Sequence, residues 1–140
     1  VDFPGGWPGD EMDLFSAEGR ANAVKNTDGL SVPKGQAAEL YDFASRLFQW
    51  RKTKDVIHNG KTMHFMTRDN TYGYFRYDDD DMVFVYINNS NEPKNIPWSY
   101  YKEINEGLEG GVNVLTGEPC EVSDATVVAP QSVLIVEYNK

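Results

Sequence analysis

Apolar residues recur at Leu40, Phe43, Ala44, Leu47 and Phe48. The spacing i, i+3, i+4, i+7, i+8 is one face of an amphipathic helix and predicts a helix over 36–54. Basic residues Arg46, Arg51, Lys52 and Lys54 gather toward its end, where the negative pole of the helix dipole favours them, and Asn59-Gly60 supplies a chain reversal. The helix should therefore stop between Thr53 and His58. After Gly60 the period becomes two. "TYGYFRY" (71–77) and "MVFVYINN" (82–89) are β-branched and aromatic runs that pair as a hairpin around the acids Asp78 to Asp81. In the second run Val83, Val85 and Ile87 point one way and Phe84 and Tyr86 the other, as expected of a central strand covered on both faces. Shorter strands are predicted at 61–67, 94–97, 112–116, 118–122 and 132–138, each bounded by Gly, Pro, Asn or Asp. About seven short strands at this spacing point to an antiparallel sandwich or barrel. "WSYYKEI" (98–104) reads as a helical turn. Residues 1–35 are rich in Gly, Pro, Asp and Asn and read as loop, with a turn signal at Asp28-Gly29, a helix-start signal at Ser31 and Pro33, and at most a short helix around 11–15.

Composition narrows the partners. A chain of 140 residues has the length of one ordinary domain. Acids exceed bases 22 to 13, and the net charge of -9 argues against nucleic acid and against anionic membrane surfaces. No apolar run reaches the ~20 residues that cross a bilayer, and the first residues lack the basic-then-apolar layout of a secretion signal, although an upstream signal could have been removed. The expectation is a soluble protein with its compartment, periplasm or cytoplasm, left open. Cys120 is the single cysteine, so no internal disulfide can form, and no cysteine and histidine cluster suggests zinc.

The run Asp78 to Asp81 is the first place to look for a metal or for catalytic carboxylates. Calcium would want oxygens spread around a loop with a central glycine and a distant bidentate acid, a pattern missing here. Glycoside hydrolysis needs two carboxyls facing each other at roughly 5 to 10 Å, which neighbours on an exposed turn do not supply. The run reads as a solvated hairpin turn whose charges discourage edge aggregation. His58 and His64 have no nucleophile motif beside them and read as surface or packing residues. "NNS" (88–90) matches a glycosylation acceptor, a pattern short enough to arise by chance. Trp98, Tyr100 and Tyr101 could form a sugar-stacking platform, with packing in the core or its rim the preferred reading. No catalytic residue, metal site or cofactor is expected from these residues.

Four segments taken in order carry a resemblance: "DFPGGWPGD" (2–10), "LYDFASRLFQWRKTKDVIHNGK" (40–61), "YGYFRYDDDDMVFVYINNS" (72–90) and "LTGEPCEVSDATVVAPQSVLIVEY" (115–138). Their succession resembles the carboxyl-terminal end of α-amylase-family glycoside hydrolases, and within them the neopullulanase and cyclomaltodextrinase type. The resemblance implies a mainly β fold, an antiparallel Greek-key β-sandwich of about seven strands preceded by one long helix ending in an Arg-Lys pair, here Arg51-Lys52, and an N-terminal loop region. It divides the chain into 1–58, the remnant of a catalytic (β/α)8 barrel with its last βα loop and last helix, and 59–140, the sandwich. It places Trp7 and Asp10 at or near the mouth of a glucan-binding cleft, on a loop that Gly5 and Gly6 let turn sharply. A loop whose proline and tryptophan only pack on the neighbouring helix is the other reading of that stretch. The family's catalytic carboxylates lie on earlier strands and none maps onto this sequence. The implied role is a non-catalytic portion of an α-glucan hydrolase, inactive alone, with α-glucan and the rest of the barrel as partners. A stand-alone carbohydrate-binding or protein-interaction module is the alternative. Without a barrel, the helix face of Leu40, Phe43, Leu47 and Phe48 needs a cover, which could be the sandwich, residues 1–35 or a second copy of the chain.

Overall fold

The change of period at Gly60 marks the point where helix gives way to sheet. The structure, a computed structural model, describes residues 23–25, 31–33, 36–121 and 125–139. The chain divides between Trp50 and Arg51 into two units.

In the first unit β1 (Ala23–Lys25) and β2 (Ser31–Pro33) form an antiparallel ribbon in which Val24 opposes Val32. The composition of these residues predicts loop, with a helix start at Ser31 and Pro33. That reading is corrected: β-branched residues on either side of the Asp28-Gly29 signal favour a pair of strands. The expected short helix around 11–15 lies outside the described residues. Helix α1 (Gln36–Lys52) follows, with Glu39 in its first turn and Arg51 and Lys52 in its last, the charge order that the helix dipole favours. It stops two residues before the expected end. Its apolar stripe is unevenly covered: Phe43 and Leu47 are half-buried, whereas Leu40 and Phe48 are exposed.

The second unit is a mainly β antiparallel fold, as expected. Six strands form one sheet in the order β3 (Lys61–His64), β4 (Thr71–Tyr77), β5 (Asp81–Asn88), β10 (Ser132–Asn139), β7 (Gly110–Asn113), β8 (Pro119–Glu121). A small ribbon of β6 (Lys94–Asn95) and β9 (Val127–Val128) makes a second sheet. β5 is central, paired along its length with β4 and β10, and buried on both sides from Met82 to Tyr86.

The inner face carries the core. Phe75, Phe84, Tyr86, Val136 and Tyr138 of the sheet pack with Ile96 and Val128 from the ribbon and with Trp98 and Tyr101 above them. Trp98 and Tyr101 bracket a single 3-10 turn (Trp98–Tyr101) that runs into α3 (Lys102–Asn105), and the buried Asn105 amide donates to the Trp98 carbonyl at 2.9 Å to hold the two together. The helical turn read from "WSYYKEI" is thus present. Gly73 explains the close approach of Tyr101. A methyl group at position 73 would stand 2.5 Å from the Tyr101 hydroxyl and 2.8 Å from its ring, so the strand accepts the entropic cost of glycine to seat an aromatic ring.

The outer face is held by a short helix, α2 (Asp55–Asn59), whose Val56 has no exposed surface and which meets β4 and β5. Arg76 donates to the Ile57 carbonyl at 2.7 Å and to the Thr62 hydroxyl, and Lys54 pairs with Glu137. Glu137 sits on β10 and Arg76 on β4, so these cations bind α2 and the segment before it to two strands.

Asn88, at the end of β5, ties the ribbon to the sheet. Fully buried, it donates to the carbonyls of Glu92 (2.8 Å), Val128 (3.1 Å) and Ala129 (3.0 Å), and its Oδ1 accepts from the Ser90 N–H and hydroxyl at 3.0 and 2.7 Å. An amide has two hydrogens, so one of the three donations is shared. A side chain so enclosed has no room for a glycan, and the "NNS" match is structural.

Two outcomes follow for stability. Asn88→Ala should lower unfolding free energy by about 2–3 kcal/mol, because buried carbonyls lose their donor. Asn88→Asp should cost more, since a carboxylate would face those carbonyls with no proton to give, and urea unfolding at neutral pH checks the order. Tyr138 is the opposite case. Its hydroxyl is buried without a hydrogen-bond partner among the described residues, and burial, with a smaller contribution from Cys120, pushes its pKa well above the ordinary tyrosine value. The neutral phenol is therefore the form that folding favours, and its contribution is complete below about pH 10 and lost as pH rises past it. Tyr138→Phe should be neutral to stabilising by up to ~1 kcal/mol at pH 7 and should reduce the fall in stability above pH 10. Urea midpoints measured across that range test both.

Candidate functional site

The sharpest local geometry of the sheet is the reversal between β3 and β4. Arg68 and Thr71 exchange backbone hydrogen bonds, Arg68 N–H to Thr71 O at 3.1 Å and Thr71 N–H to Arg68 O at 2.7 Å. Asp69 and Asn70 between them both have positive φ, 48° and 59°. This is a two-residue hairpin turn of the I′ kind, in which Asp and Asn are the side chains best able to tolerate the left-handed region. The Thr71 hydroxyl donates to the Arg68 carbonyl at 2.6 Å, and the Asn89 N–H reaches across from the end of β5 to the Asn70 carbonyl at 2.9 Å. The turn is thereby fixed at both ends.

Beside this turn lies a groove of about 360 Å³, within the size range of small-molecule sites. Its polar lining comes from residues 67–71 and Asn89, and Tyr72 and Ile87, a cross-strand pair on the outer face, supply its apolar part. Tyr72 is held in place: its hydroxyl is hydrogen-bonded to His64 Nδ1 and the two rings stack, 6.2 Å apart at 11°. Tyr74 continues the row, its ring 5.6 Å from that of Tyr72, and burial raises its pKa. On the other side of the turn the Arg68 guanidinium lies 3.8 Å from the centre of the Tyr100 ring, a cation–π contact that fixes its position.

The residues singled out from the sequence are placed as follows. Trp98 and Tyr101 are buried, at 4% and 3% exposure, with their rings taken up by Phe84 and by each other. They supply core area, not a ring face for a sugar. Tyr100 is half-buried under Arg68. Trp7 and Asp10 lie outside the described residues. In the acidic turn, Asp78 accepts the N–H groups of Asp80 and Asp81 at 3.0 and 2.8 Å, a local turn bond, and among the described residues no group of three His, Cys, Asp or Glu is placed to hold a metal ion. His58 Nε2 lies 3.1 Å from the Arg51 carbonyl, and His64 serves Tyr72. Burial raises the pKa of Cys120, which favours its neutral thiol. The sequence reading missed the groove. The one signal available was Asp69-Asn70 between two alternating runs.

Comparison with known proteins gives this arrangement its context. The model of the cyclo-malto-dextrinase C-terminal domain matches residues 62–137, more than half of the chain. Among solved structures, an AmyP variant in complex with maltotriose is similar with a TM-score of 0.64 and 18% identity, over 80% of this chain and 23% of that one. An Anoxybacillus α-amylase gives 0.57 and 14%, over 78% and 26%, and the maltogenic amylase from S. marinus gives 0.55 and 16%, over 92% and 16%. The chain thus spans about a quarter or less of the length of these structures, and at such identities the likeness is one of fold. The resemblance read from the four segments is borne out, and the chain belongs to the cyclo-malto-dextrinase C-terminal domain family.

Proposed function

We propose that this chain is the non-catalytic C-terminal portion of a glycoside hydrolase acting on α-glucans, with residues 59–140 stabilising a catalytic barrel and residues 1–58 belonging to the end of that barrel and bordering its cleft. The observation that supports this reading best is the family match over 62–137, because that family is defined as one domain of a cyclo-malto-dextrinase. The outer face of the sheet agrees with it. Val112 on β7 stands 48% exposed on the same face as Glu137. Covering apolar surface of this kind contributes about 25 cal/mol per Å² removed from water, which is how such a domain would stabilise a larger enzyme. The exposed Leu40 and Phe48 of α1 would find their cover in the same barrel. A stand-alone sugar-binding module built on Trp98 and Tyr101 loses its support, since both rings are spent in the core.

The purified 140-residue chain should release no reducing sugar from soluble starch or pullulan. Val112→Lys, which faces Glu137 in the register, should shift unfolding of the isolated chain by less than about 0.5 kcal/mol, while lowering the melting temperature of the full enzyme that carries this domain by several degrees. Starch digestion by the chain itself, or an unchanged melting temperature of the full enzyme after removal of residues 59–140, would overturn the reading.

A further inference from the structure

We infer that the groove beside the Arg68–Thr71 turn is a binding site for a short neutral saccharide, an α-glucan oligosaccharide under the function proposed above, on which this class assignment rests. Three features of the groove lead there.

The first is charge. Arg68 and Asp69 are the charged residues beside it, one of each sign, and the Arg68 guanidinium is turned to the Tyr100 ring. In a chain with a net charge of -9, a groove whose one arginine is already stacked on Tyr100 and whose other charged residue is Asp69 offers no advantage to a phosphate or a carboxylate. It suits a ligand that carries hydroxyls and no charge.

The second is the pairing of functional groups. The amides of Asn70 and Asn89 and the Asp69 carboxylate present donors and acceptors in planar groups, which can bridge neighbouring hydroxyls of a sugar ring. Tyr72 already spends its hydroxyl on His64, so what it chiefly offers a ligand is ring surface, with Ile87 at its side in the register. Aliphatic C–H faces of a sugar pack against such a surface while its hydroxyls meet the amides.

The third is preorganisation. Both residues of the turn are locked at positive φ by the reciprocal Arg68 and Thr71 bonds and by the Asn89 to Asn70 link, Tyr72 is pinned by His64, and Arg68 is pinned by Tyr100. The turn backbone, the Tyr72 ring and the Arg68 side chain therefore lose little freedom when a ligand arrives, which favours binding at a shallow site. The groove lies at the Asn88 and Ser132 end of the sheet, opposite Asn113 and Val136, so a partner covering Val112 leaves it open.

The test is a titration of the isotope-labelled 140-residue chain with maltotriose and, separately, cellotriose, followed residue by residue in amide NMR spectra. Maltotriose should produce saturable shifts confined to residues 67–72 and 87–89. Asn70→Gly removes the amide yet keeps the turn, because glycine adopts positive φ without strain. It should weaken binding at least fivefold, and Tyr72→Leu should do so at least tenfold, with the remaining spectrum unchanged. No shift with either sugar, shifts centred elsewhere, or an affinity indifferent to Asn70→Gly would overturn the site. An equal response to cellotriose would overturn its assignment to α-glucan. Neither variant touches Val112, so the melting temperature of the full enzyme judges the proposed function separately.

Discussion

Phe84 has no exposed surface, and four rings close around it: Phe75 stacked across the strand pair at 4.4 Å, Tyr86 at 6.1 Å, Trp98 at 4.9 Å and Tyr101 at 5.1 Å. This cluster is the constraint on which the second unit depends. It joins neighbouring strands of the sheet to the 3-10 turn that caps them, and aromatic pairs at these distances contribute about 0.5–1.5 kcal/mol each beyond the area they bury. The geometry dictates the rest. Because Tyr101 must lie on the sheet, position 73 must lack a side chain, and at the strand end Asn88 gathers the carbonyls of Val128 and Ala129.

The outer face follows a different logic. Where the inner face is closed by aromatic rings, the outer one is closed only in part, by Val56 of a one-turn helix and by cations that bridge helix and strands. The remainder carries the row His64, Tyr72 and Tyr74 and ends in the groove. A sheet that spends one face on its own core and leaves the other partly uncovered follows the ordinary division of an antiparallel sheet. On that face Val112 pairs with Glu137 and Ile87 with Val133, toward opposite ends of β10.

Much of this architecture was legible in the sequence. Alternation in "MVFVYIN" announced a strand buried on both faces, and the register confirms that Phe84 and Tyr86 face the core while Val83 and Val85 face the other way. The helix from Gln36 was equally plain from its period. What escaped were pieces too short to have a period. β9 is two residues long and exists because Val128 completes the core and Asn88 binds its carbonyl, neither of which leaves a local trace. The β1 and β2 ribbon hid in a segment whose glycines and prolines suggested loop. Trp98 and Tyr101 kept two readings open, because a ring destined for a core and a ring destined for a sugar are the same residue in a sequence. The groove draws Asn70 and Asn89 from places nineteen residues apart, and only strand pairing brings them together.

Gly73 carries a consequence of its own. In most strands the side chain is the variable part and the backbone the invariant one, but here a hydrogen atom is what the fold recognises, since any carbon in its place would collide with a buried phenol. Tyr72 and Tyr74 on either side point to the opposite surface and can drift with whatever that surface contacts, while the position between them cannot. Diversity at this strand should therefore be striped, open at alternate sites around one closed to every residue but the smallest.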